Sequence, residues 1–200
     1  GPSYHGIVET PVLSISGGFY PMGQEITILD YQEDIQIRYT LNGSIPQIND
    51  DLFDGAVLDD QLILRVRSFR DGYLPSKVIT NSYFNDNLFR GLPIVSLISD
   101  SNNFFGVDSG LLVPGEEAAN GFPFFGANWW SDCPHSNMRE YGCSDWEHPV
   151  HVELFEQDRS LGFKLDAGMQ IHGHWMRGMP QKAIAIYARN KFGSGIIEHQ

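Results

Sequence analysis

The sequence predicts a mainly β protein, with a small antiparallel β-sandwich in residues 1–86 and a second β-rich segment in residues 92–200. Three observations support this fold class. Apolar and polar side chains alternate over short stretches, as they do in strands that bury one face. Turn-forming dipeptides such as Asn42-Gly43 separate those stretches. No helical spacing of apolar residues lies between the predicted strands of the first segment.

The first segment contains four predicted strands. The clearest is at residues 35–41, where Ile35, Ile37 and Tyr39 alternate with polar side chains. Further strands are predicted at residues 25–29, 62–67 and 77–84, with a turn at Asp71-Gly72. Short strands at this spacing are typical of a small antiparallel sandwich. Residues 87–91 are the predicted linker to the second segment.

The second segment begins with an apolar run at residues 94–98, which predicts a strand covered on both faces. Asp100 is a predicted N-cap for a single helical turn. Residues 115–146 form a long irregular stretch, and residues 150–155 then alternate as a strand with one polar face. A turn at 158–160 precedes a returning strand from Gly162.

The most suggestive stretch for function is residues 168–193. It predicts a strand at 169–172, a turn that ends at Pro180, and a strand at 183–189 with Lys182 at its start. A lysine fixed at a strand start after a glycine-containing loop is one way to hold a cation beside phosphate oxygens. The alternative is a lysine that is simply solvated.

Composition and charge narrow the function classes. The formal net charge of -12, with only 13 Lys and Arg, argues against binding to nucleic acid or to an anionic membrane surface. No apolar run reaches the roughly 18 residues of a spanning helix, so we expect no membrane insertion. Cys133 and Cys143 predict a disulfide and an oxidising compartment, with two free thiols as the alternative.

The first segment resembles a known accessory module. The phrases that carry the resemblance are SGGFY at residues 16–20, IRYTLNGSIP at 37–46 and LRVRSF at 64–69. They resemble the fibronectin-III-like domain found at the C-termini of chitobiases and hexosaminidases. The resemblance implies an accessory sandwich without a catalytic centre. Carbohydrate binding through Phe19, Tyr20 or Tyr73 is a functional alternative, and a core or cap role for these rings is the other interpretation.

The second segment resembles the CotH kinase family. The phrases are LPIVSL at residues 92–97, WEHPVHVELFE at 146–156, and RGMPQKA with YAR within 177–189. Members are atypical, spore-coat-type protein kinases that also occur in bacterial surface and secreted proteins. The resemblance implies that residues 92–200 are the β-rich N-terminal part of an α+β kinase-like domain. It also implies that Lys182 contacts ATP phosphates, with Arg177 and Arg189 as weaker candidates for the same anionic pocket.

Two departures from the family pattern limit what the resemblance implies. Ala183 replaces a serine, and the bulky residues 174–176 replace small ones in the turn. The family's metal-binding and catalytic aspartates lie beyond Gln200, so residues 1–200 are expected to contain no catalytic residue. ATP and Mg²⁺ are expected for the complete domain only. Because the chain starts at Gly1 without an initiator methionine, we expect a piece of a larger protein.

The resulting hypothesis is a fragment of a secreted or cell-surface bacterial CotH-like kinase, inactive as an isolated piece. The complete enzyme would phosphorylate Ser or Thr of a surface or coat protein. The alternative hypothesis is a non-catalytic surface module that binds carbohydrate or protein.

Two further pairs of residues raise other site hypotheses. His172 and His174 lie on the same side of a strand and could ligate zinc or copper with a third ligand, yet no recognised metal spacing recurs. Isolated, hydrogen-bonded histidines are therefore predicted, with no metal site. Glu153 and Glu156 are three apart on a strand and face opposite sides, which argues against a glycosidase pair and predicts a surface role.

Overall fold

The computed structural model describes residues 3–30, 32–88, 91–115, 127–130, 146–173 and 175–199. Within these residues the fold is mainly β, which confirms the predicted fold class. The strands are β1 (Gly18–Tyr20), β2 (Gln24–Ile26), β3 (Gln36–Thr40), β4 (Ala56–Leu58), β5 (Gln61–Phe69), β6 (Ile79–Asn85), β7 (Ile94–Ile98), β8 (His148–Phe155), β9 (Leu161–His172) and β10 (Ala183–Tyr187).

The helices of the described residues are short. They are α1 (Ser101–Phe105) and the 3-10 turns Asp86–Leu88, Asn128–Trp130 and Trp175–Gly178. Asp100 caps α1 as predicted, because its carboxylate accepts a 2.9 Å hydrogen bond from the Asn102 N–H. In the part of the chain that the structure describes, no helix has the length and apolar character needed to cross a membrane.

The chain divides into two compact units. The first comprises Gly1–Ser96 with Glu153–Phe163, and the second comprises Leu97–Val152 with Lys164–Gln200. The tip of the β8–β9 hairpin therefore belongs to the first unit, together with the strands of the amino-terminal segment.

The first unit contains a four-stranded sheet in the order β1-β6-β5-β3 and a two-stranded sheet, β2-β4. β5 runs antiparallel to β3 and β6, whereas β1 runs parallel to β6, with Gly18 opposite Tyr83. The sequence had predicted an antiparallel sandwich, but the pairing of β1 with β6 is parallel. Gly17 permits this approach, since a Cβ there would lie 2.9 Å from the Ser82 carbonyl oxygen.

Both sheets of the first unit bury their apolar side chains in one cluster. Ile26 and Leu58 come from the two-stranded sheet, and Ile37, Leu64 and Tyr83 from the four-stranded sheet. The residues that alternate in the sequence are thus the ones that face inward, as the period of two predicts.

The predicted turns of the first unit are present. Gly43 and Gly72 have φ angles of 83° and 77°, in the left-handed region that glycine adopts without steric cost. The Asn42 side-chain oxygen accepts a 3.0 Å hydrogen bond from the Ser44 N–H, which closes the turn locally. Asn42-Gly43 therefore connects β3 to the following segment for the reason the sequence indicates.

The remaining strands form a sheet in the order β10-β9-β8-β7. β9 is one continuous strand of 12 residues, where the sequence had predicted two shorter pieces. The prediction that residues 94–98 are covered on both faces is wrong, because Val95 in β7 is 58% exposed. An apolar run alone does not distinguish a strand covered on both faces from one covered on a single face.

The last residues of β8 correct another expectation. Glu153, predicted to lie on the surface, is 1% exposed, and its carboxylate accepts a 2.7 Å hydrogen bond from the Ser82 N–H. Phe155 is also buried and packs edge-on against Phe19 and Phe84. Glu153 and Phe155 share one face of β8, and Val152 on the opposite face is 2% exposed, so both faces are covered at this end. A carboxylate buried there needs the hydrogen bond that Ser82 donates.

Candidate functional site

The turn between β9 and β10 brings two of the predicted site residues together within the second unit. The two strands are antiparallel, with His172 opposite Ala183, so the chain must reverse between them. Gly173 begins the reversal with a φ of 107°. The 3-10 turn Trp175–Gly178 and Pro180 complete it. Lys182 therefore leaves the turn directly at the start of β10, where the sequence predicts it.

Arg177 is buried within this turn and bridges its residues by hydrogen bonds. Its side chain is 5% exposed, and its Nε donates a 2.7 Å hydrogen bond to the Gly173 carbonyl oxygen. Its Nη1 donates a longer, 3.4 Å bond to the Trp129 carbonyl oxygen. A buried guanidinium needs such acceptors. These two donors hold the backbone, which ties the turn to the 3-10 turn Asn128–Trp130.

Lys182 lies against the face of an aromatic ring. Its Nζ is 4.0 Å from the centroid of the Trp129 ring and donates a 2.9 Å hydrogen bond to the Met179 carbonyl oxygen. Burial lowers the pKa of the Lys182 amine from its usual value, because a charged group loses solvation there. Among the described residues Lys182 forms no ion pair. The ring and the carbonyl therefore position a cation whose charge no described carboxylate neutralises.

Trp129 is the residue that sequence reasoning missed. It is 9% exposed, and its indole Nε1 has no hydrogen-bond partner among the described residues. Asn128 fixes the segment, since its side-chain amide donates a 2.9 Å bond to the Val107 carbonyl and its N–H donates a 3.0 Å bond to the Pro114 carbonyl. A buried N–H without a partner is unusual and marks a place where an acceptor could bind.

Arg189, the third predicted site residue, lies at the other end of β10. Its Nε is 2.9 Å from Glu147 Oε1, an ion pair without hydrogen-bond alignment, and its guanidinium stacks on Tyr187 at 4.9 Å. Lys191 and Gln170 approach the other Glu147 oxygen at 3.5 and 3.2 Å. At about 3.3 Å per extended residue, the seven steps from Lys182 to Arg189 span up to about 23 Å, and the two residues flank β10 at opposite ends. The structure therefore does not bring Arg189 to Lys182.

Two histidines of the second unit, His148 and His151, have separate partners. His148 Nε2 lies 2.7 Å from the Ser109 carbonyl oxygen, and His151 Nδ1 lies 2.7 Å from Asp166 Oδ1. No group of three His, Cys, Asp or Glu side chains in the described ranges is arranged to hold a metal ion. His174, and the predicted disulfide between Cys133 and Cys143, lie outside the described residues.

The aromatic candidates of the first unit are half-buried. Phe19 stacks on Phe84 with a centroid separation of 5.3 Å. Tyr20 packs against the core cluster, and its hydroxyl donates to the Ser16 carbonyl oxygen. Tyr73 also packs against that cluster, and it lines a cavity beside Arg70. All three rings therefore serve packing in this unit.

Comparison with protein-family models, curated proteins and solved structures gives no match for this chain. The class that the structure defines is a mainly β protein with two compact units, one of which carries a cation beside a buried indole N–H. The CotH-like identity stays a prediction from the sequence.

Proposed function

We propose that this chain is the N-terminal part of a secreted or cell-surface CotH-like protein kinase, and that Lys182 contacts the phosphates of ATP. The complete enzyme would transfer a phosphoryl group to Ser or Thr of a surface or coat protein. The observation that carries the proposal is the position of the Lys182 ammonium, 4.0 Å over the Trp129 ring, beside an indole N–H without a described partner.

The donor set around Lys182 fits phosphate oxygens. Lys182 uses one of its three N–H groups on the Met179 carbonyl, and the indole Nε1 is a donor only. Because the ammonium lies on the indole face, the two nitrogen atoms are close neighbours. A phosphate offers acceptors to both and carries the opposite charge to Lys182. The local cation matters because the net charge of -12 would otherwise repel a polyanion.

Arg177 would act as a positioning residue in this proposal. Its bonds to the Gly173 and Trp129 carbonyls fix the turn and the ring against which Lys182 rests. ATP would supply the phosphoryl group when bound. The described residues supply no carboxylate to Lys182, and Mg²⁺ prefers carboxylate oxygens. No metal-dependent step is therefore assigned to these residues, and we expect ATP binding without phosphoryl transfer.

The test is calorimetric titration of the 200-residue chain with ATP and MgCl₂. Lys182→Ala should weaken binding by about tenfold or more, since it removes a charge-assisted contact to phosphate. Trp129→Phe keeps the ring but removes the N–H, and should weaken binding by a smaller factor. Lys77→Ala is the matched control, because it removes the same charge from an exposed position in the first unit.

The pH dependence adds a second readout. Lys182 binds phosphate in its protonated form, so affinity should fall as pH rises through its pKa. Because burial has lowered that pKa, the fall should begin below the pH at which an ordinary lysine deprotonates. Equal affinities for wild type and Lys182→Ala would remove Lys182 from the site, and absence of binding by wild type would overturn the nucleotide proposal.

A second candidate is a non-catalytic surface module. The ion pair of Arg189 with Glu147 and the carbonyl contacts of Arg177 favour it, because both arginines serve the fold of the second unit. Under this hypothesis wild type and Lys182→Ala would both fail to bind ATP while remaining folded.

A further inference from the structure

A cavity at one end of the first unit contains none of the residues proposed to contact or position ATP. It has a volume of about 470 Å³, within the range of small-molecule sites. It lies between the start of β3 and the end of β5, where Asp34 and Gln36 face the Arg70–Tyr73 turn. All of these residues belong to the first unit.

Arg70 is held in place at this cavity. Its Nη2 lies 2.5 Å from Asp34 Oδ2, and its guanidinium lies 4.7 Å from the centroid of the Tyr73 ring. The Tyr73 ring is itself braced by the His5 ring at 5.6 Å, and the His5 N–H donates to the Gly72 carbonyl oxygen. The guanidinium is therefore oriented before any ligand arrives, which reduces the entropic cost of binding.

The polar groups of the cavity include both hydrogen-bond donors and hydrogen-bond acceptors. Asp34 and Asp71 supply acceptors, and Arg70 supplies donors. Gln36 accepts a hydrogen bond from Arg38 with its amide oxygen, which leaves its NH₂ group as a donor. The two carboxylates would repel an anionic ligand, and Arg70 would repel a cationic one. Hydroxyl groups suit this set best, because each of them both donates and accepts.

The cavity also has an apolar wall. Ile48 is 48% exposed at its edge, and the buried Phe69 lies behind it. A pyranose ring carries hydroxyl groups around its rim and C–H groups on its faces, so it can use both kinds of surface. Arg70 covers one face of Tyr73, so Tyr73 orients Arg70 and does not offer that face to a sugar.

We propose that this cavity binds a neutral sugar unit of a polysaccharide, through Arg70, Gln36 and the two carboxylates. The site is independent of Lys182 and lies in the other compact unit. It assigns carbohydrate recognition to polar groups at the end of the sandwich, where the sequence had indicated stacking on exposed rings.

The test is a nuclear magnetic resonance titration of the ¹⁵N-labelled full chain with cellohexaose, chitohexaose and laminarihexaose at millimolar concentration. At least one of these probes should shift the Gln36 side-chain amide and the Asp71 and Gly72 amides. Arg70→Ala and Asp71→Asn should each weaken that binding by about fivefold to tenfold, the effect of losing one hydrogen bond to a ligand. Asp71→Asn keeps a turn-forming residue, so it tests the carboxylate without disturbing the turn.

Tyr4→Ala is the control for a nonspecific aromatic effect, since Tyr4 is 52% exposed and does not line the cavity. It should change affinity by less than about twofold. The proposal is overturned if none of the three sugars shifts the cavity amides. It is equally overturned if Arg70→Ala and Asp71→Asn, both verified as folded by their spectra, bind as wild type does.

Discussion

The two compact units use polar side chains in different ways. In the first unit, apolar side chains of two sheets form one cluster, and a buried polar group such as Tyr83 has nearby partners: its hydroxyl donates to Ile15 and accepts from Asn81. In the second unit, cationic side chains hold the two ends of β10: Arg177 donates to a backbone carbonyl at one end, and Arg189 pairs with the Glu147 carboxylate at the other. Apolar packing thus defines the first unit, whereas a few charged contacts define the candidate site in the second.

The largest expected effect is on the apolar cluster of the first unit. Leu64→Ala should lower the free energy of unfolding by about 2–5 kcal/mol, because the side chain is fully buried between the two sheets and its removal leaves a cavity. Urea unfolding measures the loss. Leu29→Ala is the matched control at a 62% exposed position and should cost less than about 0.5 kcal/mol. Similar losses in both variants would contradict a core centred on Leu64.

Alkaline pH tests the buried polar group of the same cluster. Burial raises the pKa of Tyr83 from 10.0 to about 12. Between these pH values the unfolded chain has lost the Tyr83 proton and the folded chain retains it, so stability should fall as pH rises. The loss approaches about 3 kcal/mol, at 1.36 kcal/mol for each unit of pKa difference.

Tyr83→Phe is the control for that titration. It cannot ionise, so its stability should fall less than that of wild type between pH 10.0 and about 12. At neutral pH it should be less stable by about 1–2 kcal/mol, because Ile15 and Asn81 lose a buried partner. If stability falls equally with pH in wild type and Tyr83→Phe, the Tyr83 hydroxyl has the same pKa in the folded and unfolded chains, which would contradict the prediction.

The same contrast explains how far the sequence could predict the structure. Ile37, Leu64 and Val66 were predictable as inward-facing, because strand alternation and burial share a period of two. The contact between Arg177 and Trp129 was not, since 48 residues separate them and the acceptor is a backbone carbonyl that leaves no pattern. The burial of Glu153 was mispredicted for a related reason. A polar residue in an alternating strand indicates a solvent-exposed position, but the burial of Glu153 depends on residues elsewhere in the chain that cover it.

The candidate site was predictable only in part. Lys182 lies at the start of β10, as the turn residues before it indicate. The aromatic ring that positions its amine comes from a stretch whose sequence showed only a cluster of tryptophans. Lys182 and Arg189 are close in sequence, yet they flank opposite ends of β10, and the extended strand keeps their side chains apart.

The smallest expected effect, a coupling of about 1 kcal/mol between two positions, tests the charged end of the second unit. Gly168 lies in β9 opposite Tyr187, and a Cβ there would overlap the Glu147 carboxylate and the Phe192 ring. Gly168→Ala should therefore cost about 1–3 kcal/mol, because Glu147 must move away from Arg189. Glu147→Ala removes one of the two obstacles, so the double variant should lose about 1 kcal/mol less than the sum of the single losses. Strict additivity of the two losses would mean that the Glu147 carboxylate does not set the cost of a side chain at Gly168.

ATP affinity should be unchanged in all three variants, because Lys182 lies at the opposite end of β10. A change in ATP affinity would show that the two ends of the strand are coupled.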